Sequence, residues 1–192
     1  MDIDVPLKDW GEFDVAPLRE AILSQEDAAW LESSQRQDDY EVHNQTESIV
    51  MLFASQTWPA MTVTREAGWE RLQSVAHPLM DEIIDKHYKP GGTIIRAVAA
   101  KLKAGATIAP HFDSLPSFKY GHRIHIPITT NRRVRFMIDG RPFRFEIGRV
   151  YEINNRQTHS VINAGKEDRI TFIFDYIAPD VAREQNVVIT HG

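Results

Sequence analysis

At Pro90-Gly91-Gly92 the chain changes period. Before that break the longest patterned segment, Glu66 to Tyr88, repeats Trp69, Leu72, Val75, Leu79, Ile83 and Ile84 at helical spacing, with Pro78 as an expected bend. After it come short runs bounded by turn residues: Thr93 to Lys103, Thr107 to His111, His122 to Thr129, Val134 to Ile138, Phe143 to Glu146, Val150 to Ile153, Ser160 to Asn163 and Arg169 to Ile177. Asp139-Gly140 is a strong two-residue hairpin signal. About eight strands following a helical part predict a mainly β fold, a double-stranded β-helix or jelly roll buttressed by N-terminal helices. The expected organisation is one domain over residues 1–192, with a helical part to residue 90, a barrel core over 91–178 and a tail from 179.

Upstream, Pro17 to Leu31 reads as a helix, polar residues from Glu32 to Gln45 as a loop, and Ser48 to Ala54 as a strand. Alternation then divides two later strands into faces. Ile124, Ile126 and Ile128 oppose Arg123 and His125, and Ile170, Phe172 and Phe174 oppose Arg169, Thr171 and Ile173. The Ile/Phe faces suit a core against helices. The charged faces then point into the barrel, where a buried guanidinium needs a partner or a ligand.

Three side chains on the strand half have metal-ligand character. His111 and Asp113 are two residues apart on extended chain and project to one side, and His159 from a distant strand completes a set of three. Two histidines with one carboxylate leave coordination positions open, the arrangement of non-haem Fe(II) oxygenases. With no cysteine in the chain, disulfides, zinc-thiolate sites, iron-sulfur clusters and cysteine nucleophiles are excluded together. Arg169 follows His159 by ten residues, placed by the pattern on the next strand of a hairpin turned at Ala164-Gly165-Lys166. Its planar fork suits a carboxylate.

The segments APHFD, GHRIHIPITTN, YEINNRQTHSV and DRITFIFDY, in this order between Arg96 and Pro179, resemble the aspartyl/asparaginyl beta-hydroxylase family of Fe(II)/2-oxoglutarate-dependent oxygenases, and are similar also to bacterial free-proline hydroxylases. The resemblance implies that His111, Asp113 and His159 hold Fe(II) and that Arg169 binds the distal carboxylate of 2-oxoglutarate. It implies further that His125 lies near the cosubstrate's other end and that Arg123 meets a substrate carboxylate. The implied reaction uses O2 to convert 2-oxoglutarate to succinate and CO2 while hydroxylating an unactivated C–H bond of a free amino acid or a peptide residue. Asp113 is glycine in the vertebrate peptide hydroxylases, so this chain carries the full triad, as the proline hydroxylases do. A serine of those peptide hydroxylases falls on Ala100, and Thr171, on the same face as Arg169, is the candidate replacement hydroxyl.

Phe118 and Tyr120, in the segment Ser114 to Gly121 between the metal motif and Arg123, are candidate substrate contacts, with Trp58 a further one. Bland readings stand beside these: His125 as a backbone-bonded core histidine, Arg123 as a member of a structural ion pair, and Arg132, Arg133, Arg135, Arg141, Arg144 and Arg149 as solvated hairpin faces. His43, His77, His87, His122 and His191 show no ligand spacing. A noncatalytic cupin-like module binding a metal or small acid is the rival from another class. A zinc hydrolase on the same scaffold would need a general base, and spacing identifies none.

Charge is unevenly divided. Eighteen acids face seven Lys/Arg up to Pro90, and nine acids face fifteen Lys/Arg beyond it, so the basic half is the half with the metal motif. A pI near 5.9 and the lack of a recognition motif argue against nucleic acid. No apolar run approaches the roughly 20 residues of a membrane span, and the first residues lack the features of a secretory signal, so a cytoplasmic location is expected. The run Val187-Val188-Ile189 suggests that the tail makes contacts.

Overall fold

The computed structural model describes residues 1–32 and 46–192; the polar stretch expected as a loop, and His43 within it, otherwise lie outside the described residues. Twelve strands among the described residues form two sheets. The larger has the order β1 (Leu7–Glu12), β9 (Arg149–Ile153), β6 (His122–Pro127), β11 (Arg169–Ile177), β4 (Thr93–Leu102), β2 (Thr46–Ala54), β3 (Ala60–Arg65) and β12 (Val188–His191). The smaller runs β5 (Thr107–His111), β10 (His159–Asn163), β7 (Val134–Ile138) and β8 (Arg141–Phe143). All pairings are antiparallel except that of β12 with β3. The fold is the expected mainly β jelly roll with helices on one side.

The two-period reading of β6 and β11 explains the layering. Ile124, Ile126, Ile170, Phe172 and Phe174 are buried in a core shared with α1 (Ala16–Leu23), α2 (Asp27–Leu31) and α3 (Ala67–His87). A second core, with Leu102, Phe136, Ile138, Phe145, Tyr151 and Val161, fills the space between the sheets. At about 25 cal/mol per Å² of apolar surface, such burial supplies most of the drive for both layers. The α3 pattern is obeyed closely: Trp69, Leu72, Leu79, Met80, Ile83 and Ile84 are buried, and Pro78 lies inside the helix.

Several elements differ from the sequence reading. The part before Pro90 is not simply helical, because β1, β2 and β3 all join the large sheet. The expected helix from Pro17 to Leu31 is split at Ser24-Gln25-Glu26, where the Ser24 hydroxyl and the Gln25 amide both donate to the Ala21 carbonyl and compete with helical hydrogen bonding. β8 starts at Arg141, directly after the turn, since Asp139 and Gly140 both take positive φ (48° and 72°) and Ile138 pairs with Arg141.

The most consequential difference concerns β10 and β11. They are not a hairpin: β10 pairs with β5 and β7, and β11 with β4 and β6. The link between them turns a corner from one sheet to the other. Asn163 holds that corner, its amide donating to the carbonyls of Leu102, Lys103 and Glu167, while the Asp168 carboxylate accepts from the Ala104 N–H. Gly165 has no space for a side chain, since a Cβ there would meet the Asn131 side chain at 2.5 Å. His159 and Arg169 therefore reach the barrel interior from opposite walls.

Candidate active site

His111 ends β5 and lies opposite His159, the first residue of β10. Asp113 sits just beyond β5, fixed by its N–H to the Asn155 carbonyl and by its own carbonyl, which accepts from Arg156. One ligand atom from each of the three residues falls within 4.8 Å of the others. Phe112 between them is 54% exposed, so the local alternation persists past the strand end.

The donor set suits a metal. Nδ1 of His111 is 2.8 Å from the Ala109 carbonyl and Nδ1 of His159 is 3.0 Å from that of Gln157. Such bonds assign the proton to Nδ1 and make Nε2 the ligating nitrogen of each ring. Asp113 Oδ2 is buried and accepts no hydrogen bond among the described residues, although Arg123 Nη1 lies 3.0 Å away as an ion-pair partner. That ion pair leaves the oxygen lone pairs of Asp113 Oδ2 without a hydrogen bond, so they are open to a cation beside His111 and His159.

A narrow cavity of about 50 Å³ extends from these residues between the sheets, lined by His111, His159, His125, Arg123, Phe136, Arg169 and apolar side chains including Ile108 and Ile173. Arg169 is buried, and no carboxylate pairs with it among the described residues. Burial alone brings its guanidinium pKa down to about 10. Among the described residues, Thr171, in register with Ala100 on β4, holds a buried Oγ1 without a hydrogen bond, and neither ring nitrogen of His125 has one. Burial first, and then the charge of Arg169, push the His125 pKa well below the ordinary histidine value, so this ring is neutral. The reading of His125 as a backbone-bonded core histidine is not met among the described residues.

The other end of the cavity is differently built. Arg123 donates from Nε and Nη2 to Asp175, both at 2.8 Å, which places it in an ion pair rather than open to a substrate carboxylate alone. Arg96 Nη1 lies 3.7 Å from Asp175 and bonds the Ser117 hydroxyl at 3.0 Å. The segment from Ser114 to Gly121 contains a short helix, α4 (Pro116–Tyr120). Its Phe118 ring lies 4.5 Å from the Arg96 guanidinium and 4.3 Å from that of Arg123, and its Tyr120 stacks on Trp58 at 5.0 Å. Asp175 was missed from sequence, yet it continues the Arg169, Thr171, Ile173 row at the same two-residue period. Burial raises its carboxyl pKa, but the charge and hydrogen bonds of Arg123 and the charge of Arg96 outweigh burial, and the net shift is downward.

A sequence profile described as aspartyl/asparaginyl beta-hydroxylase matches residues 19–179. The chain belongs to the aspartyl/asparaginyl beta-hydroxylase family. It is accordingly a 2-oxoglutarate- and Fe(II)-dependent oxygenase that uses O2. Solved structures share the hydroxylase's fold at low identity. A non-heme monooxygenase, ThoJ in complex with nickel, aligns with a TM-score of 0.56 at 14% identity over 91% of this chain and 74% of its own. A viral collagen prolyl hydroxylase from Paramecium Bursaria Chlorella virus-1, in complex with 2-oxoglutarate, gives 0.52 at 9% over 91% and 96%. An oxidoreductase of the 2OG-Fe(II) oxygenase family from Burkholderia pseudomallei gives 0.52 at 12%, over 69% of this chain and 66% of its own. No curated protein matches by sequence.

A wider cleft, about 520 Å³, lies beside α3, bordered by Trp69, His77, Asp81 and Tyr176. Its polar groups engage one another, with His77 paired to Asp81 and Arg65 over the Trp69 ring. No helix among the described residues is long and apolar enough to cross a membrane.

Proposed function

We propose that this hydroxylase acts on an amino-acid-like substrate, a free amino acid or a peptide residue, that carries a carboxylate. The carrying observation is the contrast inside the cavity between a buried guanidinium with no acid among the described residues, Arg169, and a His/Asp/His cluster whose ligating atoms converge. In this reading His111, Asp113 and His159 hold Fe(II), and Arg169 receives the distal carboxylate of 2-oxoglutarate. Thr171 gives that carboxylate a hydroxyl donor, and neutral His125 lies nearer its keto-acid end.

Fe(II), when bound, supplies the redox chemistry that couples oxidation of 2-oxoglutarate to oxygen insertion. The residues supply position and dryness. Arg123 lies at the substrate end, where its guanidinium is within reach of a carboxylate arriving over the metal ligands. Phe118 and Tyr120, with Trp58, form the wall that keeps water from that approach.

Anaerobic addition of 2-oxoglutarate to Fe(II)-loaded protein tests the reading. A weak visible charge-transfer band is expected in the wild type, absent in His159→Ala and needing far more 2-oxoglutarate in Arg169→Ala. Release of succinate dependent on an added amino acid or peptide then identifies the substrate. Stoichiometric iron without the band leaves the noncatalytic binding module as the better account.

A further inference from the structure

Three strands bring one rung of charge together. Asp175 on β11 is in register with Arg96 on β4 and with Arg123 on β6, so all three side chains leave the same face of the large sheet side by side. Asp175 is 2% exposed, and it engages Arg123 along one edge of the guanidinium, Nε to Oδ1 and Nη2 to Oδ2. A planar fork gripped along that edge has one orientation left. Here that orientation turns Nη1 to Asp113 Oδ2, at 3.0 Å. Asp113 itself lies outside any strand, so the sheet fixes its backbone less directly than it fixes His111 and His159.

We infer that Asp175 is a positioning residue for the metal centre, holding Arg123 against Asp113 so that the carboxylate ligand keeps one orientation and the cation beside it stays neutralised. The inference rests on the reading of His111, Asp113 and His159 as the metal ligands. Two physical effects point the same way. A ligating carboxylate is steadied by a partner outside the coordination sphere, here the Arg123 guanidinium as its ion-pair partner, and loss of such a partner commonly weakens metal binding by about 10- to 100-fold. An arginine beside a metal cation also repels it, and the adjacent Asp175 charge offsets that repulsion. Arg96, close to the same carboxylate and to α4, extends the rung toward the substrate wall without reaching the metal ligands in this arrangement.

The test is titration of the full-length protein with Co(II), read anaerobically by its visible ligand-field absorption, which requires no turnover. Asp175→Asn is expected to weaken Co(II) binding by about 10- to 100-fold, and Asp175→Glu, which keeps the charge but shifts the fork, by less. In an Arg123→Gln background, adding Asp175→Asn is expected to change affinity by less than about twofold, because its target is gone. Circular dichroism on each variant separates folding from binding. A folded Asp175→Asn with wild-type affinity, or an equal loss in both backgrounds, overturns the inference. Should Asp175→Asn not fold, wild-type affinity in Asp175→Glu overturns it equally. Wild-type protein that binds no Co(II) at the cluster defeats instead the assignment of the ligands.

Discussion

Arg169, buried, and Arg123, half-buried, both lie on inward strand faces, and the protein treats them in opposite ways. Arg123 is held by Asp175 and lies against Asp113, whereas Arg169 has no acid among the described residues. A buried ion pair is roughly neutral in stability, but a buried lone cation is a standing cost. The difference teaches where the fold is complete by itself and where it is built for something that arrives. In the proposed reading Arg169 lies in the cavity as the half of an ion pair whose other half is the cosubstrate, whereas Arg123 is already held by acids of the fold.

The sharpest way to break this comparison is Arg123→Met. It leaves Asp175 and Asp113 facing a thioether, and a loss of about 3–5 kcal/mol in unfolding free energy is expected by denaturant titration. Arg169→Met should move the other way, neutral or stabilising, because an apolar side chain replaces a buried charge with no acid among the described residues. The same variant should lose the rise in melting temperature that 2-oxoglutarate gives the metal-loaded wild type. A destabilised Arg169→Met would mean that the guanidinium already has a partner and that the contrast is false.

Acid distinguishes the two ends more gently. The Asp175 carboxyl pKa is depressed in the folded protein, so its contribution to stability is fully present above about pH 4, the unfolded value, and is lost as pH falls through the lower folded value. Wild-type stability should therefore drop more steeply below pH 4 than that of Asp175→Asn, as acid unfolding followed by circular dichroism would reveal. The smallest effect belongs to Thr171→Val. Losing an orphaned buried hydroxyl should change stability by no more than about 1 kcal/mol, while the 2-oxoglutarate requirement rises several-fold.

Much of this site was readable in advance because strand alternation is local. The parity of Arg123 with His125, and of Arg169 with Thr171, follows from chain geometry alone, and the structure keeps both rows facing the cavity. Asp175 obeyed the same parity and was overlooked, since a lone acid near the end of an apolar strand carries no motif. What alternation does not encode is which strands become neighbours. The rung of Arg96, Asp175 and Arg123 joins residues up to 79 positions apart, and only the sheet order supplies it. The mistaken hairpin between β10 and β11 has the same origin. Ala164-Gly165-Lys166 is good turn chemistry, but the choice between folding back and crossing over was made by the Asn163 and Asp168 bonds to β4 and its flank. The short helix α4 and the strands β1, β3 and β12 were missed for a simpler reason, that few residues commit each of them.

That crossing works as a caliper. Its jaws are the two sheets, and the ten-residue offset between His159 and Arg169 sets their opening. A residue inserted between Ala164 and Asp168 that advanced β11 by one position would turn Arg169 to the helix side and Phe172 and Phe174 into the barrel. Loops elsewhere on this barrel can lengthen with little penalty. This one has a gauge length, and in the proposed reading the molecule it measures is the diacid that spans from the His/Asp/His cluster to the guanidinium.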